Sequence, residues 1–332
     1  MPVKSRARAV IVARGTKEER RKERQGIQLG RRSDSAEKRY DKSLRLFFVW
    51  LHTSGLSIPQ SPYAVDEAVI RYISFLWEDG ETRNLAGDTI SALQARVPAL
   101  KGSLKGSWLQ LRAWQNKELP IQAPPLPAPL AWALVCLALE VGLPGVACVF
   151  ALAWHCMLRT SEAFNLQARH LTLGRAGGAV RLAHTKKGMR DVVAINDPAV
   201  AELLRRRLDT LLPGDRLAEV PDARIRQLFS GFLKDLGASG LNFRLYSFRR
   251  GGATHHFRCV GSMDLTCERG RWESTRTARI YITDGAAQLA HLCLPRECIL
   301  LCAELSKRLL SHLSPIQISR QGGSQVFPSA LA

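Results

Sequence analysis

The sequence predicts a mainly α-helical protein with a small β-sheet, an α+β fold in two domains. Three observations lead there. Apolar residues recur at helical spacing through most of residues 34–310, and a strand-rich patch falls near residues 179–195. The run Gln122-Ala-Pro-Pro-Leu-Pro-Ala-Pro129 interrupts the helical pattern. At 332 residues and 46% hydrophobic content, the chain can bury a core in each of about two domains.

Residues 1–33 form a basic arm. Up to Arg45 the chain carries fifteen Lys/Arg against six acids. The stretch Lys17–Arg24 is helix-compatible but has almost no apolar face, which predicts an arm that is disordered when free. A phosphate-binding arm or nuclear-import signal and a plain solvated tail both fit it. Asp34-Ser-Ala-Glu37 then resembles a capping box, with Ser33 or Ser35 as alternative caps. Tyr40, Leu44, Phe47, Phe48 and Leu51 continue it as a helix ending near Gly55. Further helices are expected over Val65–Asp79, Leu85–Val97 and Leu104–Gln115, with their aromatics in a core rather than stacking on bases. The proline run follows as an extended linker.

The apolar stretch Leu130–Leu158 is broken by Glu140, Gly142, Pro144 and Gly145. Neither half spans a bilayer, so two buried core helices are expected. Thr160 or Ser161 can start the next helix, with Glu162 in its first turn. Residues 179–183 and 191–195 extend on either side of Lys186-Lys-Gly188, a β-hairpin signal with two lysines at the tip. Amphipathic helices are expected over Val200–Leu212 and Arg224–Leu236. A last apolar helix covers 299–310, before a loose tail.

Net charge is +19 and the isoelectric point about 10.2. Such an excess points to a polyanionic partner, nucleic acid first and an anionic membrane surface second. The start shows no apolar run of the secretory kind. Eight cysteines without a CxxC pair read as reduced thiols of an intracellular protein. Cys298 and Cys302, with His291 nearby, are expected to be buried thiols on a helix rather than metal ligands.

Two clusters carry chemistry. Tyr246-Ser-Phe-Arg-Arg-Gly-Gly-Ala-Thr-His-His-Phe257 brings together a phenol, two guanidinium groups and two imidazoles. Gly270-Arg-Trp-Glu-Ser-Thr-Arg-Thr-Ala-Arg-Ile-Tyr281 follows. Arginine suits phosphate because its planar fork pairs with two oxygens and keeps its charge. A basic helix followed by a solvated loop is the plainer reading.

Arg159, Lys186, Tyr246, Arg249, Trp272 and Tyr281 together resemble the tyrosine recombinase (phage integrase) family, over about residues 34–310. Arg159 precedes Ser161-Glu162, Lys186 sits on the hairpin, and Trp272 lies nine residues before Tyr281. The resemblance implies a helical, SAM-like DNA-clamp domain over 34–118, a linker over 119–129, a catalytic domain over 130–312 and a tail over 313–332. It further implies a site-specific recombinase or integrase working through a 3′-phosphotyrosine link at Tyr281, with neither metal nor ATP. Arg159 and Arg249 would hold the phosphate, Lys186 would protonate the leaving oxygen, and Trp272 would pack or donate its N–H. Glu162 would orient Arg159, and Lys187 or Arg250 are alternative phosphate contacts. Implied partners are double-stranded DNA and further copies of the chain, as dimer or tetramer, with no membrane. Implied locations are the nucleus in a eukaryote and otherwise the cytoplasm or nucleoid. The Arg-Arg-Gly-Gly-Ala-Thr-His-His and Gly-Arg-Trp runs look more like integrases of eukaryotic mobile elements than bacterial chromosome-resolving enzymes.

One position departs from that pattern. Tyr246 stands where the family has histidine, and a phenol with a pKa of about 10 exchanges protons poorly near neutrality. A recombinase-derived DNA-binding protein that no longer cuts is therefore a second reading. A type IB topoisomerase-like strand transferase is a third.

Overall fold

The computed structural model describes residues 33–118, 122–175, 177–182 and 191–313. The basic arm before Ser33, the hairpin tip with Lys186 and Lys187, and the tail beyond Leu313 lie outside the described residues. The chain divides into two compact units, with the division between residues 121 and 122.

The first unit holds α1 (Asp34–Thr53), α2 (Pro62–Glu78), α3 (Arg83–Arg96) and α4 (Lys105–Lys117). The hydroxyls of Ser33 and Ser61 accept the Ala36 and Ala64 amides, so serine caps set both starts. Pro62 opens α2, where an amide has no helical partner to lose, which lets the helix begin ahead of Val65. The carboxylate of Asp66 accepts the Gly106 and Ser107 amides at 2.9 and 2.8 Å and fixes the start of α4. Phe47, Leu51, Val69, Tyr72, Ile73, Leu76, Ile90, Leu104 and Trp114 form the core. Phe48 and Trp108 are 43% and 40% exposed instead. Each lies one position off the inward stripe, beside buried Phe47 and Ser107, and adjacent helical residues cannot share a face.

The second unit is built on α5 (Ala128–Glu140) and α6 (Pro144–His155), joined by a turn with Gly142 at φ 75°. Both are buried, as their unbroken apolar character requires. The proline run is extended only as far as Pro127. Pro129 lies inside the first turn of α5, where proline breaks no helical hydrogen bond. Then come α7 (Thr160–Phe164), β1 (Leu171–Leu173), β2 (Gly178–Leu182) and β3 (Asp191–Ile195). The strands form an antiparallel sheet in the order β1-β2-β3, with Val180 opposite Leu171 on one side and Val193 on the other. At three residues β1 is too short to show alternation, which is why only a hairpin is legible in the sequence.

The chain continues through α8 (Pro198–Leu208), α9 (Asp222–Asp235), α10 (Tyr246–Val260), α11 (Met263–Gly270), α12 (Thr275–Ala278), α13 (Asp284–Leu292) and α14 (Arg296–Leu313). Asp197 caps α8, and that helix stops four residues before Leu212. α14 is longer than the apolar run predicts. It places Cys298, Cys302, Leu305 and Leu309 in this unit's own core, beside α5. Both thiols are buried and His291 is exposed, in keeping with packing rather than metal binding. Among the described residues no single helix is long and apolar enough to cross a membrane.

The Gly251-Gly252 pair sets how closely α10 approaches α6. A Cβ at Gly252 would stand 2.1 Å from the Trp154 carbonyl oxygen, a backbone atom that cannot swing aside. Gly252→Ala is therefore expected to destabilise the protein by about 1–3 kcal/mol, the usual cost of overpacking. Urea unfolding of the two proteins measures this; equal midpoints would show that α10 can back away freely.

Candidate active site

α6 ends at His155, and Met157 then adopts a left-handed backbone with φ 48°. This bend brings Arg159 to the N-cap of α7, where its amide donates to Glu162 Oε2 at 2.8 Å and its Nη1 to Oε1 at 2.6 Å. α10 starts at Tyr246, which puts Arg249 one turn on and on the same face. Arg249 is 1% exposed. Its Nη1 donates to the Met157 carbonyl and its Nη2 to the Gly270 carbonyl at 2.7 Å.

Arg249 also organises the aromatic groups. Its Cζ lies 4.8 Å from the centre of the Trp272 ring and 5.2 Å from that of Tyr281, within cation–π range of both. Tyr281 has Trp272 on one contact, centroids 4.7 Å apart, and Tyr246 on another, at 5.5 Å. The Thr254 hydroxyl donates to the Tyr281 carbonyl at 3.3 Å and ties this loop to α10. Trp272 owes its place to Gly270, where a Cβ would lie 1.9 Å from the indole ring.

The structure thus brings Arg159, Glu162, Tyr246, Arg249, Trp272 and Tyr281 into one neighbourhood. Arg250 borders the cluster: its Nη1 donates to Gln122 at 2.7 Å and its Nη2 to Thr283 at 3.2 Å, and its charge still acts on the Tyr246 and Tyr281 phenols. Lys186 and Lys187 lie outside the described residues, although the strands leading to them are paired up to Leu182 and Asp191. Sequence reasoning passes over Arg271. Its Nη2 donates to Glu162 Oε2 at 2.8 Å, and its backbone is left-handed at φ 58°. That conformation costs a residue with a Cβ about 1–2 kcal/mol. A charged residue inside the quoted Gly-Arg-Trp run was the available signal.

Electrostatics follow from crowding. Arg249 is pushed down to about 10, first by burial and then by the charges of Arg271 and Arg159, so it stays cationic at neutral pH. Burial, and then a hydrogen bond with Tyr281, raises the Tyr246 phenol above its ordinary value. The shift keeps the Tyr246 phenol in its neutral, hydrogen-bonding form near pH 7. Nε of Arg249, Nε and Nη1 of Arg271 and Nε1 of Trp272 are buried without a hydrogen-bond partner among the described residues. Unpaired buried donors beside three guanidinium groups make an environment that favours an anion with several acceptor oxygens. One group of metal-type ligands lies within mutual reach among the described residues: Cys136, Glu140 and His312. None of them belongs to this cluster, and Glu140 already accepts from Arg308 at 3.0 Å.

Glu162 gives the site a pH signature. Burial alone would raise its pKa, but the charge of Arg271 and the two donors of Arg159 outweigh that and hold it below 4.5. A lowered carboxylate stabilises the fold above its unfolded-state value. That contribution disappears as pH falls through the folded value. Glu162→Gln is expected to cost about 2–3 kcal/mol at pH 7, since Arg271 loses its partner in a buried setting. Below pH 4.5 the variant should lose less further stability than wild type. His155, which burial holds down to about 3, contributes the same acid limb to both, beginning near 6.5. Urea unfolding from pH 7 to 3 tests this; parallel curves would remove Glu162 from the account.

The fold, a helical unit followed by a mainly helical one with a small antiparallel sheet, is the fold of tyrosine recombinases. No protein-family profile matches the sequence, and no curated protein matches it. Solved structures do. The Tn1549 transposon integrase in complex with transposon right end DNA matches with a TM-score of 0.55 at 12% identity, over 83% of this chain and 97% of that one. A lambda integrase dimer bound to a COC′ core site matches with a TM-score of 0.52 at 13% identity, over 77% of this chain and 73% of that one. At such identities the likeness is one of fold.

Proposed function

We propose that the protein is a site-specific DNA recombinase or integrase that breaks and rejoins strands through a phosphotyrosine at Tyr281. The observation that carries this reading is the Arg249 guanidinium, buried against both the Tyr281 and Trp272 rings. It places a fixed cation and a phenol side by side, with Arg159 and Arg271 adding charge.

The phenol oxygen of Tyr281 attacks a backbone phosphorus and forms a new P–O bond, its proton passing to water. The bond to the deoxyribose 5′-oxygen breaks, and Lys186 supplies the proton that oxygen needs. The 3′-phosphotyrosyl link retains the energy of the broken bond, so the reverse attack by a 5′-hydroxyl reseals a strand without ATP. Arg159 and Arg249 stabilise the charge on the non-bridging oxygens in the transition state. Trp272 packs against the nucleophile and offers its indole N–H. Metal is not required by this scheme, because the arginines supply the positive charge. The basic arm adds phosphate contacts, and two or four copies act on paired sites where the host DNA resides, in nucleus or nucleoid.

A duplex carrying a nick next to the cleavage position loses its 5′-hydroxyl fragment and traps the adduct. A protein–DNA band that survives denaturant supports the reading; salt-sensitive binding without that band supports the second reading, a recombinase-derived DNA-binding protein. The unusual Tyr246, held in its neutral form, is the observation that favours this second reading. Relaxation of supercoiled plasmid by the protein alone would favour a topoisomerase-like transferase.

A further inference from the structure

We propose that Arg271 is a positioning residue for Arg159, acting through the carboxylate of Glu162 that the two arginines share. The proposal rests on the recombinase reading of the site. Arg159 and Arg271 hold opposite oxygens of Glu162, at 2.6 Å on Oε1 and 2.8 Å on Oε2. Their exposures differ: the Arg159 side chain is 35% exposed, while those of Arg271 and Glu162 are 9% and 6% exposed. The buried pair is therefore the anchor and Arg159 the group that is held.

Arg271 is itself fixed from several sides. Its backbone follows α11 in a left-handed conformation, and its Nη2 also reaches the Met157 carbonyl at 3.4 Å. That carbonyl is the one Arg249 donates to as well. Asp191, at the start of β3, lies near enough for its charge to act on Arg271. Arg271 thus joins the bend before Arg159, the strand leading from the lysine hairpin, and the segment carrying Trp272 and Tyr281. Without it, Glu162 is held among the described residues by its own helix start, and Arg159 loses a reference to the nucleophile's segment.

Two variants separate this role from folding. Arg271→Gly keeps the left-handed backbone without strain and removes the guanidinium. Arg271→Lys keeps a charge but not the fork. On the nicked duplex, Arg271→Gly is expected to slow single-turnover adduct formation by about 10-fold to 100-fold, the effect of a misplaced group, with DNA affinity changed less than about twofold. Arg271→Lys should recover part of the rate. In a Glu162→Gln background, Arg271→Gly should cost much less than it does alone. A wild-type rate in Arg271→Gly, or additive losses in the double variant, would overturn the proposal.

A second readout does not depend on cleavage. The guanidinium NMR signal of Arg159, identified by its disappearance in Arg159→Lys, should move in Arg271→Gly toward that of solvated arginines. An unmoved signal overturns the proposal. Absence of any adduct from wild type overturns the recombinase reading instead, and the NMR comparison still decides on Arg271.

Discussion

Replacing Tyr281 by phenylalanine is expected to abolish the covalent protein–DNA adduct on a nicked duplex while leaving DNA affinity within about twofold of wild type. The reasoning is local. The phenylalanine ring preserves the packing against Trp272 and Tyr246, with centroids at 4.7 and 5.5 Å. It also preserves the Thr254 hydrogen bond, which is made to the backbone carbonyl. The hydroxyl is lost, and with it the hydrogen bond to Tyr246 and the atom that would bond to phosphorus. Binding energy spread over many phosphate contacts is barely touched by one hydroxyl. Denaturing electrophoresis with labelled DNA reads the adduct, and a titration reads the affinity. Tyr246 lies close enough to be the one rival phenol, so Tyr246→Phe is the matching control. Adduct in Tyr281→Phe but not in Tyr246→Phe would transfer the nucleophile's role.

Arg249→Ala should be nearly as severe, for two separable reasons. It removes a cation from the reacting phosphate, which typically costs about 10²- to 10³-fold in rate. It also leaves the Met157 and Gly270 carbonyls buried without these donors and takes a partner from two aromatic rings. That second loss should appear as about 3 kcal/mol of stability. Arg249→Lys separates the two, because a single ammonium retains charge but cannot serve both carbonyls and an oxyanion in one plane. It is expected to keep more stability than alanine and to remain at least about 10-fold slower than wild type. Rapid-quench cleavage and urea unfolding measure both. A normal rate in Arg249→Ala would sink the assignment of this residue to the phosphate.

Much of the helical layout is legible because apolar spacing and cap residues act locally. Ser33 marks a helix start by chemistry that needs nothing from the rest of the chain, and Ser61 and Asp197, passed over in favour of apolar spacing, do the same. The failures are of a different kind. Pro129 reads as part of an extended linker, yet it occupies a first turn where proline is harmless. Phe48 and Trp108 share the composition of the core but miss its stripe by one position. At the site, the resemblance named residues that the fold brings into one neighbourhood, and it left Arg249 and Arg250 as alternatives. Their separation in space depends on the turn of α10 and on Gln122 and Thr283, which no local pattern reveals. Arg271 escaped because its partner lies 109 positions away.

The Met157 carbonyl accepts from both Arg249 and Arg271, although its own side chain is merely buried among apolar neighbours. A main-chain oxygen survives any exchange of the residue that bears it. Alanine scanning here reads the loss of a buried side chain and is blind to the oxygen itself. Exchanging the following amide for an ester, by installing an α-hydroxy acid at position 158, weakens that oxygen as an acceptor and reaches it where ordinary mutagenesis does not.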